Sequence, residues 1–344
     1  MDKKELLEVV RKAENKNLKL YFVARLLKEG VKTSAKLLDK YIFNVYQIDI
    51  TDEIRNYLYD LSIKQFDNIE KRDDLQFIDY DVISDDDQHL FTYQVINKVT
   101  SFSDVVYNQL VNIPKKITNL NEILSSETLW AYCVGFQIDS QNMFYTFRKI
   151  SPSKVGVDIE DDKQKKSLIS SIRTYFDTNT NTLSLLKGET VNLDKNIDCI
   201  FYGEVFYILR KHYFEQILGL QEEFKKKAED IATDIKNHSC FGETSLLSEK
   251  IENSPSIHKR LMKLEKLGSL KVLDEKGLKN FEKLGKTKNA PVNIKNGKIV
   301  FETNNDIENT IKLLCDYYKT GDYSGKSYGT YAGKIQKENK LQKV

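Results

Sequence analysis

The chain has 344 residues, 40% of them hydrophobic and 30% charged, with only 4 Pro and 15 Gly. That is enough apolar material for a packed core, too little Pro and Gly for a disordered or collagen-like chain, and a length suited to two domains at roughly 150 residues each. The net charge of +2 is uneven, because residues 250–344 carry 20 basic and 11 acidic side chains while the remainder is net acidic, which suggests an acidic body with a basic module.

No stretch approaches the ~20 apolar residues of a membrane span, and the charged start, Met1–Glu8, does not read as a signal peptide. Cys133, Cys199, Cys240 and Cys315 are widely spaced, without a CxxC pair. A disulfide framework or zinc module is therefore not expected, and a reducing cytoplasm is the default.

In chain order, residues 5–14 predict a short amphipathic helix. Leu18–Leu27 and Leu37–Ile50 are rich in aromatic and β-branched residues and predict strands, the first ambiguous with helix. Thr51-Asp52 predicts a helix start, followed by Ile54, Leu58, Leu61 and Phe66 at near-helical spacing. Asp73–Asp87 reads as an acidic loop enclosing a short strand at Phe77–Val82. A helix is expected at Ser103–Val111, before Pro114.

From Trp130 the pattern changes to strands. Trp130–Ile138 and Met143–Ile150 face each other across Asp139–Asn142. Further strands are expected at Val155–Ile159, Ser170–Phe176, Thr182–Leu186 and Ile197–Leu209. Lys211–Lys236 predicts one long helix, striped by Phe214, Ile217, Leu218, Phe224, Ala228, Ile231 and Ile235. Two shorter helices follow at 257–267 and 275–285. Asn296-Gly297 predicts a hairpin, Asn305-Asp306 the cap of a last helix, and the tail from Gly321 is rich in Gly, Tyr and Lys. The fold class is thus α+β: an N-terminal α/β region, a central antiparallel β meander (130–209), a long helix (211–236) and a basic helical and hairpin module (255–344). The expected domains are 1–125 and 126–344.

Catalytic motifs are scarce. Gly325-Lys326-Ser327 resembles a phosphate-binding loop, but position 320 is Thr and no helix is expected after it. A nuclease reading would use Asp198 or Glu204 as a Mg²⁺ ligand, yet Glu204 is followed by Val205-Phe206, so the expected Lys is missing. There is no GxSxG and no GxGxxG after a strand. His258 reads as a surface or phosphate-facing residue. No enzyme activity, metal or cofactor is expected.

The two basic helices carry more information. At ~100° per residue, Ile257, Leu261, Leu264 and Leu267 share one face, with Lys259, Lys263 and Lys266 opposite. In the second, Leu278, Phe281 and Leu284 mark the buried face, and Lys276, Lys279 and Lys283 the other. Residues 250–300 hold 13 basic and 5 acidic side chains. Two helices followed by a hairpin resemble the order of a winged-helix reader, although the connection Gly268–Asp274 is long. Such a surface, with Lys259, Arg260, Lys263, Lys266, Lys271, Lys276, Lys279, Lys283 and Lys286, would grip phosphates rather than read bases. Only 8 of the 53 basic residues are Arg, so a solvated lysine face is the plain alternative.

Several segments resemble the B-subunit (KwaB) family of the Kiwa anti-phage defence system. They are Ile197-Asp198-Cys199-Ile200-Phe201, the strand at Tyr207-Ile208, Phe214–Ala228, Ile257–Leu261, Asn296–Ile299 and Leu313–Tyr318 followed by Gly321–Tyr328. The likeness spans roughly residues 130–335 and hardly touches the first 125. It implies a cytoplasmic, non-catalytic DNA-binding effector. Such an effector is recruited to the inner face of the membrane by a small membrane-embedded partner and blocks phage DNA replication or transcription. It brings no catalytic residue to positions here. A homodimer or higher homo-oligomer is expected. The rival readings are a metal-dependent nuclease and an adaptor without nucleic acid.

Overall fold

The computed structural model describes residues 2–32, 40–73, 75–83, 89–95, 102–112, 114–116, 120, 123, 126–140, 142–150, 155–156, 174–177, 182–185, 190–191, 193, 196–321 and 323–331. Parts of the strands expected at 37–50, 155–159, 170–176 and 182–186, and the tail beyond 331, lie outside them. The helices and a mixed sheet give the α+β class that the sequence predicts. The chain divides into two compact units, residues 1–80 with 88–219, and residues 81–87 with 220–344.

The first unit is built on nine strands. They are β1 (Lys19–Leu27), β2 (Tyr41–Ile48), β3 (Gln76–Asp79), β4 (His89–Gln94), β5 (Lys115–Lys116), β6 (Thr128–Gln137), β7 (Met143–Lys149), β12 (Cys199–Tyr202) and β13 (Val205–Ile208). Their order is β3-β4-β13-β12-β7-β6-β1-β2-β5. The edge pairs β3–β4 and β2–β5 are parallel. The run from β6 through β13 is the expected antiparallel meander. Residues Leu18–Leu27 form a strand rather than a helix because β1 sits between β2 and β6 and is covered on both faces. The domain boundary expected at 125/126 falls between strands of this one sheet, β1 and β6 being paired, whereas the compact units divide at 219/220.

One sheet face packs on α1 (Lys3–Arg11) and α2 (Asp52–Glu70) through Leu6, Val10, Leu58 and Phe66 against Leu20, Phe22, Val134 and Phe144. Thr51 caps α2, its hydroxyl accepting from the Ile54 N–H at 3.4 Å. The buried stripe of α2 is Leu58–Ser62–Phe66, while Ile54 is exposed.

The opposite sheet face carries an aromatic cluster. Phe102 meets Phe43 at 5.2 Å and Phe147 at 5.7 Å, and Phe206 meets Phe214 at 5.5 Å between ring centroids. Each fully buried ring contributes about 1.5–3 kcal/mol. Part of the cover is the segment expected as a helix at 103–111. It is a single π turn, Val105–Gln109, closed by the Leu110 N–H on the Val105 carbonyl at 2.9 Å.

The region Ile197–Leu209 is a hairpin, because Gly203 (φ 57°) and Glu204 (φ 66°) turn the chain between β12 and β13. The pairs β8 (Val155–Gly156) with β11 (Thr190–Val191) and β9 (Thr174–Asp177) with β10 (Thr182–Leu185) lie outside the nine-stranded sheet.

The single long helix expected at 211–236 is two. α3 (Lys211–Ile217) closes the first unit, and α4 (Gln221–Asn237) opens the second. The break is Gly219 at φ 71°, a left-handed position that suits glycine and ends the hydrogen-bond ladder.

In the second unit α4 packs on α6 (Pro255–Leu267), burying Phe224, Ala228, Ile231, Ile257, Leu261 and Leu264. The sequence reading did not anticipate α5 (Ser245–Asn253) or the four-residue α7 (Ser269–Val272), which fills the long connection before α8 (Glu275–Thr287). The hairpin of β14 (Ile294–Lys295) and β15 (Lys298–Ile299) turns at Asn296 (φ 50°) and Gly297 (φ 71°), as expected.

α9 (Asn304–Leu314) is capped by Thr303 instead of Asn305. The Thr303 hydroxyl accepts from the Asp306 N–H at 3.2 Å, and the Asp306 carboxylate accepts from the Thr303 N–H at 2.7 Å. In the tail, β16 (Tyr318–Thr320) pairs with β17 (Ser327–Gly329). Gly325-Lys326-Ser327 is therefore the turn and start of a strand, not a loop entering a helix.

Candidate nucleic-acid interface

The basic module splits by helix. Pro255 occupies the first turn of α6 and Gly268, at φ 67°, ends it. Its cations are engaged within the second unit. Arg260 Nη1 donates to Glu308 Oε2 at 2.6 Å, and its guanidinium lies 4.7 Å from the centre of the Tyr331 ring. Lys266 pairs with Asp81. Lys259 Nζ lies 5.8 Å from the centre of the Phe224 ring.

Lys263, expected on the solvated face, is buried and donates to the Tyr331 carbonyl. Burial, and then the Lys319 ammonium, lower its pKa. The physical reason is that α6 has neighbours on both sides: α4 covers the Leu261 face, and Tyr331 from the tail closes over the other. His258 is likewise buried rather than surface- or phosphate-facing, with Nε2 2.9 Å from the Ile251 carbonyl.

α8 behaves differently. Asp274 caps it, Oδ1 accepting from the Gly277 N–H at 2.6 Å. Leu278 is buried and Phe281 half-buried, but Leu284 is exposed. Lys276, Lys279, Lys283 and Lys286 are all exposed and fall within an arc of about 80° at ~100° per residue. Lys271, on α7, is also exposed. Lys286 pairs with Glu282 at 2.6 Å. Among the described residues Lys271, Lys276, Lys279 and Lys283 have no ion-pair partner. The accessible stripe of the predicted surface is therefore α8 with Lys271, and not α6.

The carboxylates weighed as metal ligands are far apart in character. Glu204 is exposed at the β12–β13 turn. Asp198 is wholly buried, with Oδ1 accepting from Arg148 Nη1 at 2.6 Å and Oδ2 from the Lys149 N–H at 2.7 Å. Both of its oxygens are thus committed to holding β7 against β12. Burial pushes the Asp198 carboxyl up, against the Lys149 N–H and the Arg148 guanidinium, which favour its ionised form. Among the described residues no group of three or more His, Cys, Asp or Glu is placed to hold a metal.

Around Asp198 lies a stack of cations and rings that the sequence reading missed. Arg148 and Arg210 lie 4.7 and 4.3 Å from the Tyr213 ring centre. Arg25 and Lys149 lie 3.5 and 3.7 Å from that of Trp130, whose Nε1 donates to the Ile217 carbonyl at 3.0 Å. The only sequence signal was the adjacent Arg148-Lys149 at the end of an apolar strand.

Burial, then the Arg25 charge, lower the Lys149 pKa to about 8, with Asp198 acting the other way. In the unfolded chain this lysine keeps its proton to pH ~10.4. Between the two values the unfolded state binds more protons, so this group makes the fold more stable as pH rises. The stability difference between wild type and Lys149→Met should shift in favour of wild type by up to about 3 kcal/mol from pH 8 to pH 10.4. Urea midpoints across that range check it, and a difference independent of pH would contradict it.

A model of the Kiwa protein KwaB-like family matches residues 126–322. The chain belongs to this family. It is thus a component of Kiwa anti-phage defence. No curated protein and no solved structure matches it. The KwaB-like region begins just before β6 and ends after β16, so it contains Asp198, Arg148, Lys149, Trp130 and the α8 stripe, while Arg25 on β1 lies outside it. No described helix of this KwaB-like chain is long and apolar enough to cross a membrane.

Proposed function

We propose that the chain is a non-catalytic DNA-binding effector of Kiwa defence that grips the phosphate backbone with the α8 stripe. The observation that carries the reading is the exposed row Lys276, Lys279, Lys283 and Lys286, with Lys271 beside it, in a KwaB-like chain. Lysine ammonium groups are point charges without the guanidinium fork, so they suit phosphates and confer little sequence preference. In this reading the protein acts as a homodimer or higher homo-oligomer with a small membrane-embedded partner at the inner face of the membrane. There it blocks phage DNA replication or transcription.

The test is retention of a DNA duplex by the full chain over a salt series. Five phosphate contacts predict a log–log slope of about −4.5 for each protomer footprint, with similar affinity for unrelated sequences and with plasmid left uncut in Mg²⁺. A slope near zero would contradict the proposal, and so would cleavage of the plasmid.

A further inference from the structure

The hairpin of β16 and β17 is fixed at its base and open at its tip. At the base Tyr317 fits against Gly329, where a Cβ would lie 2.6 Å from its ring. The Tyr317 ring meets those of Tyr318 at 5.2 Å and Tyr331 at 4.7 Å between centroids. Tyr331 lies over Arg260 and its carbonyl accepts from Lys263, so the base is tied to α6. At the tip, the Gly325 N–H closes the turn on the Gly321 carbonyl at 2.8 Å, with Gly325 at φ 62°. There Tyr323 is 104% exposed and Tyr328 51%. Single exposed rings are ordinary on a surface, but two on one turn form a patch.

The register shows how Tyr328 is presented. Lys319 is opposite Tyr328, and the Gly321 N–H continues the ladder to the Lys326 carbonyl at 2.8 Å. Lys319, Gly321, Lys326 and Tyr328 therefore share one face of the hairpin. The Tyr328 ring lies across Gly321, where a Cβ would be 3.0 Å from it, and its hydroxyl is 3.3 Å from Ser324 Oγ. One side of the ring is thus seated on backbone and its edge is held, which leaves the other side to solvent between two lysines. Tyr323 adds a second ring at the turn.

An oriented ring flanked by ammonium groups suits a chain of alternating flat groups and negative charges. Bases stack on aromatic side chains whatever their sequence, and lysines meet the phosphates between them. An acidic peptide would use the lysines and gain nothing from the rings. A closed duplex would leave the rings unused, because its bases are already stacked. Residues 316–344 carry six Lys against three acidic residues, which favours a polyanion. We propose that the tip of this hairpin binds an unpaired nucleic-acid strand, with bases stacked on Tyr328 and Tyr323 and phosphates at Lys319 and Lys326. The surface is distinct from the α8 stripe and does not rest on that reading.

The experiment measures binding of a dye-labelled oligothymidine of about 12 nucleotides to the full chain by fluorescence anisotropy. The double variant Tyr323→Leu, Tyr328→Leu should bind it at least about tenfold more weakly, and Tyr323→Phe, Tyr328→Phe should stay within about threefold of wild type. Lys326→Ala should flatten the log–log salt slope by about 0.7. Duplex affinity should be the same in all of these proteins. Both tyrosines are exposed, so an unchanged melting temperature certifies the fold. Three results would each overturn the proposal: no binding of the oligonucleotide by wild type, wild-type affinity in the leucine variant, or equal displacement by polyglutamate. The same pair of leucine substitutions in the Lys276→Glu, Lys279→Glu, Lys283→Glu background should weaken the oligonucleotide by the same factor. Loss of duplex binding alone in that background belongs to the α8 stripe, so the two readings fail separately.

Discussion

Asp198→Ala should lower the unfolding free energy of the first unit by about 3–5 kcal/mol, because it removes one partner of a buried ion pair and leaves the other charged. The carboxylate has no exposure, and it answers both Arg148 Nη1 and the Lys149 N–H. Its own N–H donates to the Phe147 carbonyl, and its carbonyl accepts from Leu209 and Arg210. The residue thus ties β7, β12 and the start of α3 together. Domains typically have only about 5–15 kcal/mol of stability in total, so the variant is expected to unfold at a much lower urea concentration. Asp198→Asn should lose less, since its amide oxygen can still accept from Arg148. A fall below about 1 kcal/mol for alanine would show that the Arg148 charge finds other compensation. The prediction also bears on any nuclease assay: lost activity in Asp198→Ala would follow from lost structure and would not identify a metal ligand.

The parts of this fold that were legible in the sequence are those decided locally. Asn296-Gly297 marks its hairpin because two left-handed positions favour those residue types, and both φ values are positive. The α8 lysines were legible because Leu278 and the three lysines follow one helical period with a single covered side.

What was not legible was decided at a distance or hidden by periodicity. The apolar stripe runs from Phe214 and Leu218 to Phe224 and Ala228 without a visible gap, so the break at Gly219 passed as an ordinary helical glycine. The burial of Lys263 depends on Tyr331, 68 residues later, and no pattern within α6 contains that information. Asp198 was weighed as a metal ligand because its partner Arg148 is 50 residues upstream, beyond any local pattern. The row Lys19, Gly135, Tyr145 and Phe201 crosses four strands, and only the register assembles it.

The second large effect concerns DNA. Lys263 and Lys266 belong in no test of the interface, since one is buried and the other is paired with Asp81. Lys276, Lys279 and Lys283 are exposed without ion-pair partners among the described residues, so reversing them should leave the fold intact. At ~0.9 counterions released per phosphate contact, losing three contacts reduces affinity about a hundredfold near physiological salt and flattens the log–log slope by about 2.7. Repulsion by the new carboxylates adds to the loss.

The most direct measurement is therefore duplex affinity of the Lys276→Glu, Lys279→Glu, Lys283→Glu protein beside wild type at one fixed salt concentration, with melting temperatures taken on the same samples. Binding weakened by about a hundredfold or more, at an unchanged melting temperature, is the predicted result. Wild-type affinity in the folded variant would contradict the α8 interface.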